Sequence, residues 1–302
     1  HCKSPDATPA SIFPRAASPV RVEIPLPPFF SFDGVVRSHG WYDLPPFQYT
    51  SGSNALDTRV VVDDHSAPVR FEAAEGFLIA SARQVPRRPL EAIARRVFSL
   101  DLDLSRFASS LAGEPDLLRS LERGGGRMLR SPSLFEDAVK MLLTTNCSWA
   151  ATRGMVTRLI ALAGPDGAAF PTAPQLARFT AGRLEREVRC GYRAPALALF
   201  ARRVASGRLA LERWEDVSRP ASGIREEILE ERGFGPYAAE GLLRILGRHD
   251  FLALDSWVRQ KYRQLHPGAA KKTDASIGRR YARFGAHRGL AMWLDLTRDW
   301  HE

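Results

Sequence analysis

Apolar and polar residues alternate in the first part of the chain and recur at helical spacing in the rest. Val20-Arg21-Val22-Glu23-Ile24 has the two-residue period of a half-buried strand. Residues 58–62, 69–71 and 77–80 are further strand candidates. Turns punctuated by Pro and Gly separate them, including Leu44-Pro45-Pro46 and Ser51-Gly52-Ser53-Asn54. An antiparallel sheet is predicted over 20–85. From Pro89 the texture changes: Leu90, Ile93, Val97 and Phe98 share a helical face. Helices are predicted over 114–123, 132–145, 149–163, 173–179, 183–189, 193–206, 222–231, 236–247, 255–264, 274–283 and 288–299. Residues 1–19 carry Pro, Ala and Ser without a period and read as a flexible tail. The fold class expected is α+β, with an antiparallel β domain and trailing helix over 20–110 and an all-α region over 111–302.

Composition sharpens this picture through charge. The 302 residues carry a net charge of +9. Residues 1–110 hold 12 basic and 12 acidic residues, so the whole excess lies in the helical region. A polyanionic partner is expected there, with binding that weakens steeply with salt. Other classes fall away. No run of about 18 apolar residues spans a membrane, and no basic start with an apolar core marks a secretion signal. Cys2, Cys147 and Cys190 are too few for a disulfide framework or a four-thiolate cluster. An intracellular setting, a bacterial cytoplasm or nucleoid, is expected. The histidines lack ligand spacing, so neither a metal nor a cofactor is expected.

The segment 224–262 carries the chemistry. Gly233-Phe234-Gly235 opens a helix with Pro236 in its first turn, the second half of a hairpin over 224–247. Such a turn leaves backbone N–H groups and a helix N-terminus free for an anion, and glycine permits close approach. Many helix–helix turns use glycine without binding anything. Asp255 then follows an apolar run and precedes Trp257-Val258-Arg259 in a helical pattern. It is placed either as an N-cap or as a carboxylate facing the sugar of a captured nucleotide.

Gly233-Phe234-Gly235-Pro236-Tyr237-Ala238-Ala239, followed by Leu254-Asp255-Ser256-Trp257-Val258, resembles the helix-hairpin-helix superfamily of DNA glycosylases. Asn146 with Ala151-Thr152-Arg153-Gly154-Met155-Val156 resembles a helix start of its 8-oxoguanine branch, and Cys190-Gly191-Tyr192-Arg193-Ala194 resembles that branch's Gly-Tyr-Arg loop. The β-then-α order also fits the 3-methyladenine glycosylase II branch. The resemblance implies that Asp255 is the catalytic carboxylate and that Gly233 and Gly235 hold a phosphate. It implies that Asn146 and Arg193 contact the orphaned partner base, that Tyr192 wedges the stack, and that Trp257 lies at the DNA-binding face. The implied partner is double-stranded DNA containing a damaged base, bound by a monomer.

The chain departs from that pattern in three places. Glycosylases that also cut the strand carry a Lys after the position of Pro236; here it is Tyr237, whose phenol cannot form a Schiff base. Lys261 lies beyond Asp255 and into the next helix. A monofunctional hydrolase using water is therefore expected, with Tyr237 stacking on the base. Gly241, one turn after Tyr237, stands where relatives carry larger residues and implies a roomier pocket. In Gly289-Leu290-Ala291-Met292-Trp293, Met292 takes the place of a base-reading Gln, so Met292 and Trp293 are expected in an apolar pocket. Such a pocket suits an electron-poor alkylated base. Phe29, Phe30, Phe32, Trp41 and Tyr42 are either a further pocket wall or the core of the β domain. The rival reading is a non-catalytic lesion- or junction-binding protein, in which Asp255 is only a cap.

Overall fold

The computed structural model describes residues 18–268 and 273–301. Most of the predicted tail, and Cys2, lie outside the described residues. Five strands form one antiparallel sheet: β1 (Val20–Pro25), β2 (Gln48–Tyr49), β3 (Ala55–Val62), β4 (His65–Ala74) and β5 (Phe77–Ala82), in the order β1-β5-β4-β3-β2. The alternation read in β1 is real: Val22 and Ile24 are buried between exposed neighbours. The register pairs Val22 with Ala80 and Val69 with both Thr58 and Ala82. The two-residue strand β2 and the short helix Phe32–Val36 were not legible, because neither is long enough to show a period.

Eight helices position the site. They are α1 (Arg87–Val97), α2 (Leu134–Leu143), α3 (Trp149–Ala163), α4 (Ala194–Ala205), α5 (Ala221–Glu230), α6 (Pro236–Ile245), α7 (Ser256–Leu265) and α8 (Arg288–Leu296). Their starts carry the expected cap chemistry: Ser133 accepts from the Glu136 amide before α2, and Ser148 from the Ala151 amide before α3.

Packing divides the molecule into two lobes. The inner face of the sheet (Ile24, Leu56, Phe71, Leu78) shares one continuous core with Leu134, Leu142, Leu197, Phe200 and Leu242. A second core joins Leu104, Phe107 and Leu121 to Val258, Tyr262, Tyr281, Leu290 and Met292. Polar ties lock the sheet region to the helices. The Asp137 carboxylate, fully buried, accepts from Trp41 Nε1 (2.9 Å), Arg96 Nη2 (2.7 Å) and the Ser131 amide (2.8 Å). Among the described residues no helix is long and apolar enough to cross a membrane.

Two imidazoles, His249 in the core and the half-buried His39 at the cavity, give the fold an acid limit. Neither ring nitrogen of His249 has a hydrogen-bond partner, and burial, with Arg244 nearby, lowers its pKa from 6.5 to about 3. Burial lowers His39 to about 4, against a bond to the Leu129 carbonyl. Both are neutral in the fold, whereas the unfolded chain takes up protons near 6.5. Their contribution is therefore present above pH 6.5 and lost as pH falls towards 4 and 3, by up to about 1.4 kcal/mol per pH unit for each. Urea unfolding at pH 7 and pH 5 should show lower stability at pH 5, and His249→Leu should flatten that difference.

Candidate active site

A cavity of about 1220 Å³ opens between the two lobes. Five of the six tryptophans line it: Trp41, Trp149, Trp257, Trp293 and Trp300. The sixth, Trp214, is core. One wall comes from the sheet side. The turn Gly40–Asp43 presents Trp41, whose ring stacks on Trp149 at 6.5 Å and 23°. Trp149 lies across Gly40 so closely that a Cβ there would sit 2.5 Å from the indole. Asp43 fixes that ring by accepting from Trp149 Nε1 at 2.7 Å. The opposite wall is a cluster in which Trp257, Trp293 and Trp300 lie 5.6–5.8 Å apart. Of the aromatic residues 29, 30, 32, 41 and 42, Trp41 reaches the cavity, while Phe32 stacks on Phe98 in the core.

The hairpin α5–α6 forms the mouth. Gly233 has φ +93, and a Cβ there would lie 2.7 Å from Ala196 and 2.9 Å from Leu142. Gly235 differs: its φ is −92, it caps α6 without a side chain, and a Cβ would meet nothing within 4 Å. Phe234 anchors the turn against Phe200 at 5.2 Å. The amides of Gly233 and Gly235 find no acceptor among the described residues, and both residues are exposed at the positive end of α6.

Tyr237 lines the cavity from α6. Burial raises its phenol above the ordinary range, the Thr144 hydroxyl opposes that shift, and the Asp255 carboxylate adds to it. Gly241 lines the cavity one turn from Tyr237, and the Met141 thioether, also in the lining, approaches it, with Cε 2.9 Å from where a Cβ would stand.

Asp255 caps α7: its Oδ1 accepts from the Val258 amide at 2.6 Å, and the residue also lines the cavity. The cap and the cavity-facing carboxylate are thus one arrangement. The preceding backbone is clamped from α6. Glu240 Oε2 accepts from the Ala253 amide (2.9 Å), and Arg244 Nη2 donates to the carbonyls of Leu252 (2.8 Å) and Ala253 (3.4 Å). Ala253 has φ +48, a left-handed conformation that costs an L-residue about 1 kcal/mol or more and persists because these bonds fix it. Arg225 holds Glu240 in turn, at 2.8 and 3.0 Å.

At the other rim, Asn146 (φ +47) donates to the Tyr192 hydroxyl at 3.3 Å, and Tyr192 is 66% exposed. Arg193, expected at the orphaned base, does not line the cavity. It is buried, donates to Thr145 Oγ1 (3.2 Å), the Thr145 carbonyl and the Cys190 carbonyl (3.3 Å), and lies over the Tyr192 ring at 4.5 Å. With its donors so engaged it braces Thr145, the neighbour of Asn146, and the Tyr192 ring.

Met292 is also corrected. It is fully buried in the second core, away from the cavity, and Trp293 reaches the cavity instead. Successive residues of a helix point about 100° apart, so α8 offers only one of the two. Of the lysines among the described residues, Lys140 is buried against Glu136 and Lys261 pairs with Asp299; neither lines the cavity. No group of three or more His, Cys, Asp or Glu among those residues could hold a metal ion. Trp149, Arg244, Glu240 and Trp300 were missed. The two on α6, Glu240 and Arg244, share the face of Tyr237 and Gly241 at helical spacing, which was a usable signal.

No family model and no curated protein matches the sequence. Solved structures do match the fold. The 3-methyladenine DNA glycosylase of Archaeoglobus fulgidus superposes with a TM-score of 0.72 at 21% identity, covering 92% of this chain and 98% of that one. The apo 8-oxoguanine glycosylase/lyase of Clostridium acetobutylicum gives 0.70 at 19% identity, covering 91% and 95%. The 3-methyladenine DNA glycosylase of Schizosaccharomyces pombe, bound to abasic DNA, gives 0.52 at 20% identity, covering 64% and 96%. The fold, a sheet followed by helical lobes, is thus that of helix-hairpin-helix DNA glycosylases in the form of the Archaeoglobus fulgidus 3-methyladenine and Clostridium acetobutylicum 8-oxoguanine enzymes.

Proposed function

We propose that the protein is a monofunctional DNA glycosylase of base-excision repair, acting as a monomer on damaged duplex DNA. One observation carries this reading: the Asp255 carboxylate, fixed on a helix N-terminus and a clamped backbone, borders an aromatic cavity that no described lysine lines. The similar solved structures include glycosylases of 3-methyladenine and 8-oxoguanine, one of them bound to abasic DNA, which supports DNA as the partner.

In the proposed reaction the amides of Gly233 and Gly235 and the N-terminus of α6 hold a backbone phosphate. Tyr192, exposed and braced by Arg193, fills the gap left by the extruded base, and Asn146 beside it faces the orphaned partner. Extrusion costs a few kcal/mol, offset by these contacts and by stacking on Tyr237 and the tryptophans. The aromatic lining supports an electron-poor, alkylated base. As the bond from C1′ to the base breaks, its electron pair leaves with the base and positive charge grows on the sugar. The Asp255 carboxylate stabilises that charge, and water adds to C1′ and gives up a proton. The product is an abasic site in an intact strand. A lyase needs an amine nucleophile, which the phenol of Tyr237 does not supply.

The test is incubation with duplexes carrying alkylated, deaminated or oxidised bases. Free base and an alkali-labile site should form, with no adduct trapped by borohydride. A trapped adduct overturns the monofunctional assignment. Lesion binding without release of any base favours the non-catalytic reading, in which Asp255 is only a cap.

A further inference from the structure

Two arginines line the cavity, and they are not equivalent. Arg259 is engaged by Asp274 through a two-point pair at 2.8 and 2.9 Å. Arg244 has no carboxylate at ion-pair distance among the described residues. Its Nη2 donates only to backbone carbonyls, and its Nε is buried without a partner. The guanidinium lies over the Trp293 ring at 4.4 Å, on the face of α6 that also presents Gly241 and Tyr237. Burial lowers its pKa to about 10, which leaves it charged at neutral pH. A base stacked in this cavity therefore meets a fixed cation whose Nη1, unlike the sealed Nε, makes no hydrogen bond to the described residues and is open to donate.

We infer that Arg244 makes this a site for neutral damaged bases, and that it selects against cationic N-methylpurines. The inference rests on the reading of the cavity as the pocket of a flipped base, and it narrows the substrate class. The guanidinium offsets the attraction that the Asp255 carboxylate and the tryptophan rings exert on a cationic base such as 7-methylguanine, so such a base gains least in this pocket. It also leaves as a neutral molecule, so a nearby cation does nothing for its departure. A neutral base leaves with the electron pair of the broken bond, and negative charge develops on it. The guanidinium stabilises that charge through N–H groups aimed at a ring nitrogen or carbonyl oxygen, and the base then takes a proton from solvent. Among alkylated bases this favours etheno and O-alkyl forms; deaminated purines with a carbonyl acceptor meet the same demand.

The experiment measures single-turnover release of 1,N6-ethenoadenine, hypoxanthine and O6-methylguanine against 3-methyladenine and 7-methylguanine. Each rate is divided by the spontaneous rate of the same lesion, because cationic bases depart more readily unaided. Wild type should accelerate at least one neutral base more than either cationic base. Arg244→Gln should lower that ratio by about tenfold to a hundredfold, the range of one charged hydrogen bond. Arg244→Lys should retain the direction of the preference. Because Arg244 also clamps Leu252 and Ala253, a purely structural role would slow every substrate equally and leave the ratio unchanged. An unchanged ratio in Arg244→Gln, or a wild-type preference for cationic bases, overturns the proposal. The wild-type result stands as a test even if Arg244→Gln fails to fold. Release of no base of either class by folded wild type overturns the base-excision reading itself, and this proposal with it.

Discussion

Replacing Asp255 by Asn is expected to abolish most base release while leaving the fold intact. The two roles of this side chain separate under that change. As a cap it needs only an oxygen that accepts from the Val258 amide, and Asn caps about as well as Asp. Stability should therefore move by less than about 0.5 kcal/mol. As a catalytic group it needs negative charge beside the forming sugar cation, which an amide lacks. The loss of rate should be about a hundredfold to ten-thousandfold. Asp255→Ala removes both functions and should add a cap loss of about 1 kcal/mol. Single-turnover release and thermal unfolding, run on both variants, distinguish the roles. Asn at the wild-type rate would show that Asp255 is only a cap.

The legibility of this site in the sequence follows from where its contacts lie. Gly233, Gly235, Tyr237 and Asp255 fall in one short stretch of the chain, so motif and spacing alone locate them. The sheet was legible wherever a strand was long enough to alternate, as in β1, and not in the two residues of β2. Residues whose place depends on remote partners were harder. Trp149 becomes a cavity wall because Gly40 and Asp43, far away in the chain, receive its ring and its N–H. Arg193 follows Tyr192 directly, yet Thr145 and Cys190 hold its guanidinium under the surface. Choosing between Met292 and Trp293 required the rotation of α8, which a local pattern with apolar residues at both positions does not encode. Arg244 was overlooked because an arginine two turns along an amphipathic helix reads as an exposed charge. Only the fold puts it over Trp293 and beside Asp255.

The two hairpin glycines should respond oppositely to alanine, and the contrast tests the phosphate role of the turn. Gly233 has φ +93, and its added methyl would lie 2.7 Å from Ala196 Cβ and 2.9 Å from Leu142 Cδ1, closer than carbon atoms approach. Gly233→Ala should destabilise the protein by about 1–3 kcal/mol, from backbone strain and overpacking together. Its weaker DNA binding would then have a structural cause. Gly235 has φ −92, which alanine adopts freely, and its methyl would meet no protein atom within 4 Å. Gly235→Ala should fold about as stably as wild type, the less flexible unfolded chain offsetting the poorer N-cap that alanine makes. The space the methyl enters lies in front of the α6 N-terminus, where a phosphate oxygen would need to approach the Gly235 amide. Affinity for a duplex carrying an abasic-site analogue should fall about tenfold, the worth of one charge-assisted contact. The expected signature is thus an unchanged melting temperature with weaker binding at position 235, and a lowered melting temperature at position 233. If Gly235→Ala bound DNA as tightly as wild type, the open N-terminus of α6 would not be a phosphate site, and DNA would have to be gripped elsewhere on the helical face.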